Sequence, residues 1–414
     1  MDRLFKILKW SEKYTKTDMT YLAKGGSWLF GGQVINFGLA FVQLWVFANL
    51  LPKEVYGQYR FLLTALTLLS LTALPGMGIA LVRAAATNAL GSVRQVIKTQ
   101  MLFGLLGTAG SLLVAGYYWY NDDSTLSIAF IIIGLFIPLM GSAMSYDSYL
   151  NGLQDFRLIS ILHTAQRILV VSSVVVVIYL SQNVLLIFAT YVFTTTLSFW
   201  VAYYISTKKY PPNEIVDESA IPYGKQLSIM SGLRTGVQHL DKVALWYLAG
   251  PVQVAQLVVA SAIPNELSSA VGHISKLALP KLSNRTKAEM QQSLLRKVFI
   301  YFIAMVCLAV LYIAAAPYLF TWFLPQYLDS IFFSQVSALL ILAAPLGLFS
   351  QYFYATKHTR ALYTMHTVEP FVLLAGYAIL IPLYGVIGVI VASLVRFVFL
   401  MIALLFFFLR DRAE

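Results

Sequence analysis

The sequence predicts an all-α integral membrane protein in which 12 transmembrane helices form two six-helix lobes around a central cavity. Three observations carry that expectation. The 414 residues are 59% apolar and only 11% charged, against about half and about a quarter in a soluble domain. Twelve stretches reach the roughly 20 mostly apolar residues that a helix needs to cross a hydrocarbon core about 30 Å thick with every amide satisfied internally. The stretch Thr207 to Tyr223, with its Pro211-Pro212 pair and mixed charges, lies at the midpoint and reads as a linker.

In chain order, the first lobe (residues 1–206) is expected to hold spans at 26–50, 58–84, 98–118, 126–148, 157–181 and 184–206. The linker takes 207–223. The second lobe (224–414) is expected to hold spans at 224–249, 252–277, 297–318, 331–353, 363–381 and 386–409. Polar turns separate them, among them Asn121-Asp122-Asp123 and Ser181-Gln182-Asn183. Leu4, Phe5, Ile7, Leu8 and Trp10 alternate with Lys6, Lys9 and Lys13 without the uninterrupted apolar core or the small-residue cleavage site of a removable signal peptide. An amphipathic helix on the inner membrane surface is expected there.

Basic residues orient the chain, because loops rich in Lys and Arg stay cytoplasmic. With the N-terminus inside, 23 of the 29 basic residues fall on the cytoplasmic face, only Lys53 and Arg60 lie opposite, and both termini are cytoplasmic. Arg167, Arg234, Lys242 and Arg396 fall within spans.

The halves also echo each other: Leu44-Trp45-Val46-Phe47-Ala48 ends the first span as Leu245-Trp246-Tyr247-Leu248-Ala249 ends the seventh. Six spans per half would relate the lobes by an axis along the membrane normal.

The net charge of +11 is scattered between apolar runs, with no basic domain to grip nucleic acid. Cys307, the single cysteine, rules out an intrachain disulfide and a CxxC metal site. Walker A, GxGxxG and HExxH motifs are absent, and the five histidines lack metal-ligand spacing. The sequence therefore points to a non-enzymatic protein without a metal or other cofactor.

An ionised side chain at the bilayer centre costs about 2.5 to 3.5 kcal/mol on insertion scales, so charges placed there need a partner or water. Counting ~1.5 Å per residue from Gly224, Arg234 lies roughly 15 Å deep, near the midplane. Ser231, Arg234, Gln238 and Asp241 share one helical face, with Lys242 at its margin. Similar stripes run through Arg60, Thr64 and Thr67, through Ser160, His163 and Arg167, and through Glu266, Ser269, His273 and Lys276. Gln33, Asn36 and Gln43 cluster on the first span. Helix-to-helix hydrogen bonding accounts for the Gln, Ser and Thr members alone. For the arginines the competing accounts are an Arg234–Asp241 pair, structural ion pairs of Arg167 and Arg396, and snorkelling of Arg60 and Arg83.

Intramembrane carboxylates are fewer: Asp147, Asp241, Glu266 and Glu369. An Arg-rich aqueous cavity attracts anions, and guanidinium forks match phosphate oxygens in bidentate geometry. Pro75-Gly76, Pro264, Pro345 with Gly347, and Pro370 are expected kinks.

Three blocks resemble a known family. Ala48 to Ala86 is similar to the first hairpin of the oligosaccharide flippases of the O-antigen and polysaccharide-export type, with its Tyr-Gly-x-Tyr and closing Gly-x-x-x-x-Arg. His239 to Ser283 resembles their seventh and eighth spans, and Pro382 to Val389 their Gly-x-x-Gly turn. Leu51-Pro52 and Ala249-Gly250-Pro251 depart from the pattern at the turns. These flippases belong to the multidrug/oligosaccharidyl-lipid/polysaccharide exporter superfamily.

The resemblance implies a bacterial inner-membrane carrier that moves undecaprenyl-pyrophosphate-linked oligosaccharide units to the periplasmic leaflet by alternating access. With such a cargo, the polar stripes lead us to expect that Arg60, Arg83, Arg167 and Arg234 bind the pyrophosphate at successive stages and that Gln33, Asn36, Gln43 and Gln238 meet sugar hydroxyls. Asp241, Glu266 or Asp147 would couple transport to protons or sodium ions, with the membrane potential as a further drive. A polymerase and a chain-length regulator of the same pathway are the implied protein partners. The rivals are a multidrug or organic-ion exporter, which calls for an acidic cavity, a membrane glycosyltransferase or polymerase, which needs a catalytic surface loop, and an assembly scaffold.

Overall fold

A computed structural model describes the backbone of residues 19–276, 287–356 and 358–413, and side chains over 35–271 and most of 291–411. The expected interfacial helix falls on residues 1–18, outside the described residues, as does the stretch 277–286.

Every regular element among the described residues is helical. In order they are α1 (Met19–Leu50), α2 (Lys53–Ser70), α3 (Met77–Ala86), α4 (Ser92–Tyr120), α5 (Ser124–Ala143), α6 (Ser145–Gly152), α7 (Phe156–Leu180) and α8 (Val184–Lys209). There follow α9 (Ala220–Ala249), α10 (Pro251–Lys276), α11 (Lys287–Phe323), α12 (Ile331–Ser337), α13 (Leu346–Ala355), α14 (Thr359–Tyr363), α15 (Glu369–Tyr384) and α16 (Val386–Ala413).

Among the described residues nine helices are long and apolar enough to cross a membrane, and a tenth is reached if a bent pair in the second span counts as one. Twelve is therefore not reached on length and apolarity alone. The other two expected spans are helices all the same: α1, whose described apolar part is Ile35–Leu50, and α9, which carries Arg234, Asp241 and Lys242. Large apolar side chains such as Leu102, Leu106 and Leu113 on α4 and Leu135 on α5 lie exposed, the pattern of a multi-pass membrane protein whose outward face meets lipid.

The polar turns act as caps. Asp123 accepts from the Leu126 N–H at 2.9 Å, Asp155 from Leu158 at 3.1 Å and Asn183 from Leu185 at 2.8 Å, satisfying amides that the first helical turn leaves open.

The helices form two compact units whose borders differ from those expected at the linker. The first contains Leu69–Gly232 with the described part of Met1–Gln43, and the second contains Leu44–Leu68 and Leu233–Glu414. The end of α1 and most of α2 thus belong with the second unit. The chain crosses between units at positions inside α1, α2 and α9, so the linker, although present, is not where packing divides the chain.

In the first unit the core gathers Met77, Leu81, Val93, Val96 and Tyr149, and beside it Tyr146, Leu150, Ile159 and Phe199. The expected break at Pro75-Gly76 is present. Leu74 adopts a left-handed conformation (φ 58°), and the helices on either side bend by 55°. A buried polar network holds the break: Ser145 donates to Gln100 at 2.6 Å, Gln100 reaches the Leu74 carbonyl at 3.5 Å, and the Gly76 N–H donates to Ser228 Oγ at 3.0 Å. A Cβ at Gly76 would overlap Ser228, so glycine is required by this close approach. Backbone groups freed in a broken membrane helix need such replacement partners.

In the second unit one core joins Val237, Leu245, Val254, Leu373, Tyr377, Ile381 and Ile390, and another joins Phe349, Tyr352, Phe353 and Phe408. Phe61 stacks on Trp246 with ring centroids 4.4 Å apart. The expected interruption at Pro345 is present, since 3₁₀ turns over Ala338–Ala343 lead into α13. Pro264, by contrast, lies inside the continuous helix α10.

Candidate anion-binding site

In the second unit α9, α15 and α16 carry ionised groups inside expected spans: Arg234, Asp241 and Lys242, Glu369, and Arg396. On α9 Arg234, Gln238 and Asp241 share one face; Arg234 and Gln238 are exposed, and Asp241, two turns further on, is 8% exposed. On α15, Glu369 is 1% exposed. Its position has a local cause. Pro370 has no N–H to donate, and the preceding turn Thr364–Val368 widens into a π-helix in which the Glu369 N–H reaches back to the Thr364 carbonyl. On α16, Arg396 follows Ser393 by three residues, placing both near the α15 surface.

Glu369 joins the three helices. Its Oε1 accepts from Arg396 Nη1 at 2.7 Å, and its Oε2 lies 4.0 Å from Arg234 Nε. The Arg234 side chain is 44% exposed and that of Arg396 25%. Among the described residues neither Glu369 Oε2 nor Arg396 Nε, both buried, has a hydrogen-bond partner.

The second carboxylate, Asp241, is taken by its neighbour: Lys242 Nζ sits 3.1 and 3.0 Å from its two oxygens, and the Lys242 N–H donates to Oδ1 at 2.7 Å. Tyr377, 6% exposed and bonded to Ser393, stands within electrostatic reach of Asp241, Arg396 and Glu369. His239 stands within reach of Lys242, Asp241 and Arg60. The cluster therefore holds four cations, Arg60, Arg234, Lys242 and Arg396, against two carboxylates, and keeps a positive balance.

The Arg234–Asp241 pair weighed from sequence is not formed; Arg234 faces Glu369 instead. Glu369 and Arg396 complete the group although neither was among the predicted site residues. An acid and a base inside adjacent spans, with a Glu-Pro step at the start of one, is the signal that marks them.

In the first unit, Arg167 Nη2 donates to Gln43 Oε1 at 2.8 Å, which brings together two residues expected to meet different parts of one ligand. His163 Nε2 lies 3.1 Å from Asp147, and the Tyr146 hydroxyl donates to Gln166 at 3.3 Å. Arg83 is exposed, its guanidinium 5.8 Å from the Tyr223 ring. It adds its charge to Asp217, whose carboxyl the Ser219 hydroxyl holds below the usual range against a small opposing effect of burial. Asn36 is half-buried. The Gln33 side chain lies outside the described residues. In the second unit, Glu266 on α10 is half-buried and forms no ion pair among the described residues. No group of three or more His, Cys, Asp or Glu suited to a metal occurs among the described residues.

Comparison with known proteins places the fold. The structure is similar to the lipid II flippase MurJ in an inward closed conformation, at 15% identity over 93% of this chain and 87% of that one, with a TM-score of 0.67. It is similar to a MOP superfamily transporter from Pyrococcus furiosus, described as having a binding pocket of reversed polarity, at 14% identity over 95% and 94% of the two chains (TM-score 0.61). An inward-facing multidrug resistance MATE family transporter of the same superfamily gives 14% identity, 91% and 93% coverage and a TM-score of 0.54. No curated protein matches the sequence. The family model described as "Polysaccharide biosynthesis protein" matches residues 22–280. That match spans more than half of the chain, so this protein belongs to the polysaccharide biosynthesis protein family.

Proposed function

We propose that the protein is a flippase that carries undecaprenyl-pyrophosphate-linked oligosaccharide units from the cytoplasmic to the periplasmic leaflet of a bacterial inner membrane, with both termini cytoplasmic. The single observation that carries the reading is the positive balance of the cluster around Arg234, whose half-exposed guanidinium has only a distant carboxylate beside it. A guanidinium in such a setting favours a phosphate oxygen pair. Membership of a polysaccharide biosynthesis family, and a fold shared with a protein named as a lipid II flippase, support cargo of the lipid-linked glycan class.

Arg234 takes the pyrophosphate, with Arg60 as a further cation of the same unit. Arg167 and Arg83 serve it at other stages, Gln33, Asn36, Gln43 and Gln238 meet sugar hydroxyls, and the polyprenyl tail stays in lipid. Moving two negative charges outward across an inside-negative membrane releases on the order of 2.3 kcal/mol per charge per 100 mV, so the potential alone favours export. Coupling through Asp241, Glu266 or Asp147 to protons or sodium ions, and delivery to a polymerase and chain-length regulator, complete the proposal. An exporter of organic cations is disfavoured because the buried carboxylates near Arg234 are already engaged by Arg396 and Lys242.

The test is a proteoliposome assay with a defined lipid-linked oligosaccharide, with and without an imposed potential. Wild type is expected to translocate the substrate faster with the interior negative, and Arg234→Ala to lose most of that flux. Undiminished flux in Arg234→Ala would falsify the assignment and favour a scaffold role.

A further inference from the structure

We propose that Glu369 is an internal competitor for Arg234, holding this guanidinium between cargoes and yielding it to a phosphate or diphosphate ester when one arrives. The inference rests on the function proposed above and adds to it the residue that sets how tightly the anion is held.

The two oxygens of Glu369 have unequal duties. Oε1 is committed to Arg396 at 2.7 Å. Oε2 is buried, has no hydrogen-bond partner among the described residues, and is 4.0 Å from Arg234 Nε. That separation is an ion pair without a hydrogen bond. Arg234 donates no hydrogen bond among the described residues and leaves 44% of its side chain exposed. The nearest alternative acid, Asp241, is held through both oxygens by Lys242.

The asymmetry has a direct consequence. If Arg234 swings to an external anion, Glu369 keeps its bond to Arg396 and is not left as an unpaired buried charge, the costly outcome for a broken interior pair. Arg234 in turn exchanges a long contact for a bidentate one, the geometry in which guanidinium binds phosphate best. When the anion leaves, the carboxylate is waiting, so the guanidinium is not stranded and release is eased. Placement of Glu369 at the π-turn beside Pro370, a backbone irregularity often found at working sites, fits a residue held for such a role.

The test uses the purified full-length protein and inorganic pyrophosphate as probe, titrated calorimetrically. Glu369→Gln keeps an oxygen for Arg396 and removes the charge that competes for Arg234. It is expected to tighten pyrophosphate binding about two- to fivefold, the upper part of the range for a solvent-screened charge pair. Glu369→Asp, which keeps the charge for Arg396 but shortens the side chain away from Arg234, is expected to tighten it by less. Neither change is expected to have any effect in an Arg234→Ala background, a result that a merely structural role of Glu369 does not produce.

Unchanged or weaker binding by folded Glu369→Gln, or equal tightening without Arg234, overturns the competitor role while leaving the anion site intact. Should Glu369→Gln fail to fold, Glu369→Asp decides by the same criterion. Absence of pyrophosphate binding in wild type and Glu369→Gln alike overturns the anion-site reading and the competitor with it.

Discussion

Arg396 donates to Glu369 across the α15–α16 interface at 2.7 Å, and the carboxylate it holds is 1% exposed. A carboxylate so deeply placed needs a counter-charge, and breaking such a pair by removing one partner costs roughly 3–5 kcal/mol. Arg234 at 4.0 Å supplies some compensation, so Arg396→Met is expected to destabilise the second unit by about 3 kcal/mol. The measurement is the midpoint of unfolding in detergent. Combining Arg396→Met with Glu369→Gln removes both charges and is expected to recover most of the loss. Equal unfolding midpoints for the single variant and wild type would show that the pair contributes nothing to the fold.

In the first unit, Gln43 and Arg167 are linked by a charge-assisted hydrogen bond of 2.8 Å, and Arg167 Nε is buried without a partner among the described residues. Truncating either residue removes the same contact. Hydrogen bonds to charged groups contribute about 1.5–3 kcal/mol, and residues sharing a contact give non-additive effects. A double-mutant cycle of Gln43→Ala and Arg167→Ala, read by unfolding in detergent, is therefore expected to show a coupling of at least about 1 kcal/mol. Strictly additive losses would mean that the two side chains act independently.

The architecture was legible because membrane helices announce themselves by length and apolarity, and the caps Asp123 and Asn183 stand in the polar turns Asn121-Asp122-Asp123 and Ser181-Gln182-Asn183. Among the described residues, length and apolarity alone do not reach twelve spans. Arg234, Asp241 and Lys242 make α9 too polar for a simple apolar test. The site was half legible. Period and depth located Arg234, but its partner is Glu369, far away in sequence on α15, and no local pattern specifies which of four intramembrane acids an arginine will meet. The division into units was the least legible feature, since packing divides α1, α2 and α9 internally.

The turn Pro382 to Val389 shows why two glycines recur in it. Gly385 closes α15 with φ 55°, a left-handed value that favours glycine. A Cβ at Gly388 would overlap the Leu380 carbonyl, so the start of α16 lies directly on the end of α15. Two backbones this close cannot admit a side chain without separating. Gly388→Val is expected to lower stability by roughly 1–3 kcal/mol, the cost of overpacking a close contact, and, by moving the α15–α16 hairpin that carries Glu369 and Arg396, to reduce transport as well. A variant with unaltered unfolding and flux would show that the hairpin tolerates the separation.

Asp155, in the turn between α6 and α7, gives the pH prediction. Burial works to raise its carboxyl, but the Lys209 ammonium, the Leu158 N–H and the Tyr210 hydroxyl, all hydrogen-bonded to it, outweigh burial, and the Lys209 charge adds to them, so the group lies below the usual carboxylate range. A carboxyl lowered in the folded state stabilises the fold fully above its unfolded value of about 3.9. That contribution is lost as pH falls through the lower folded value. Lys209 is half exposed, so screening limits the contribution to about 1 kcal/mol or less. Unfolding midpoints of wild type and Asp155→Asn are expected to differ at neutral pH and to converge as the pH falls below about 4. A gap that persists unchanged into strong acid would mean that Asp155 acts through its shape as the α7 cap and not through its charge.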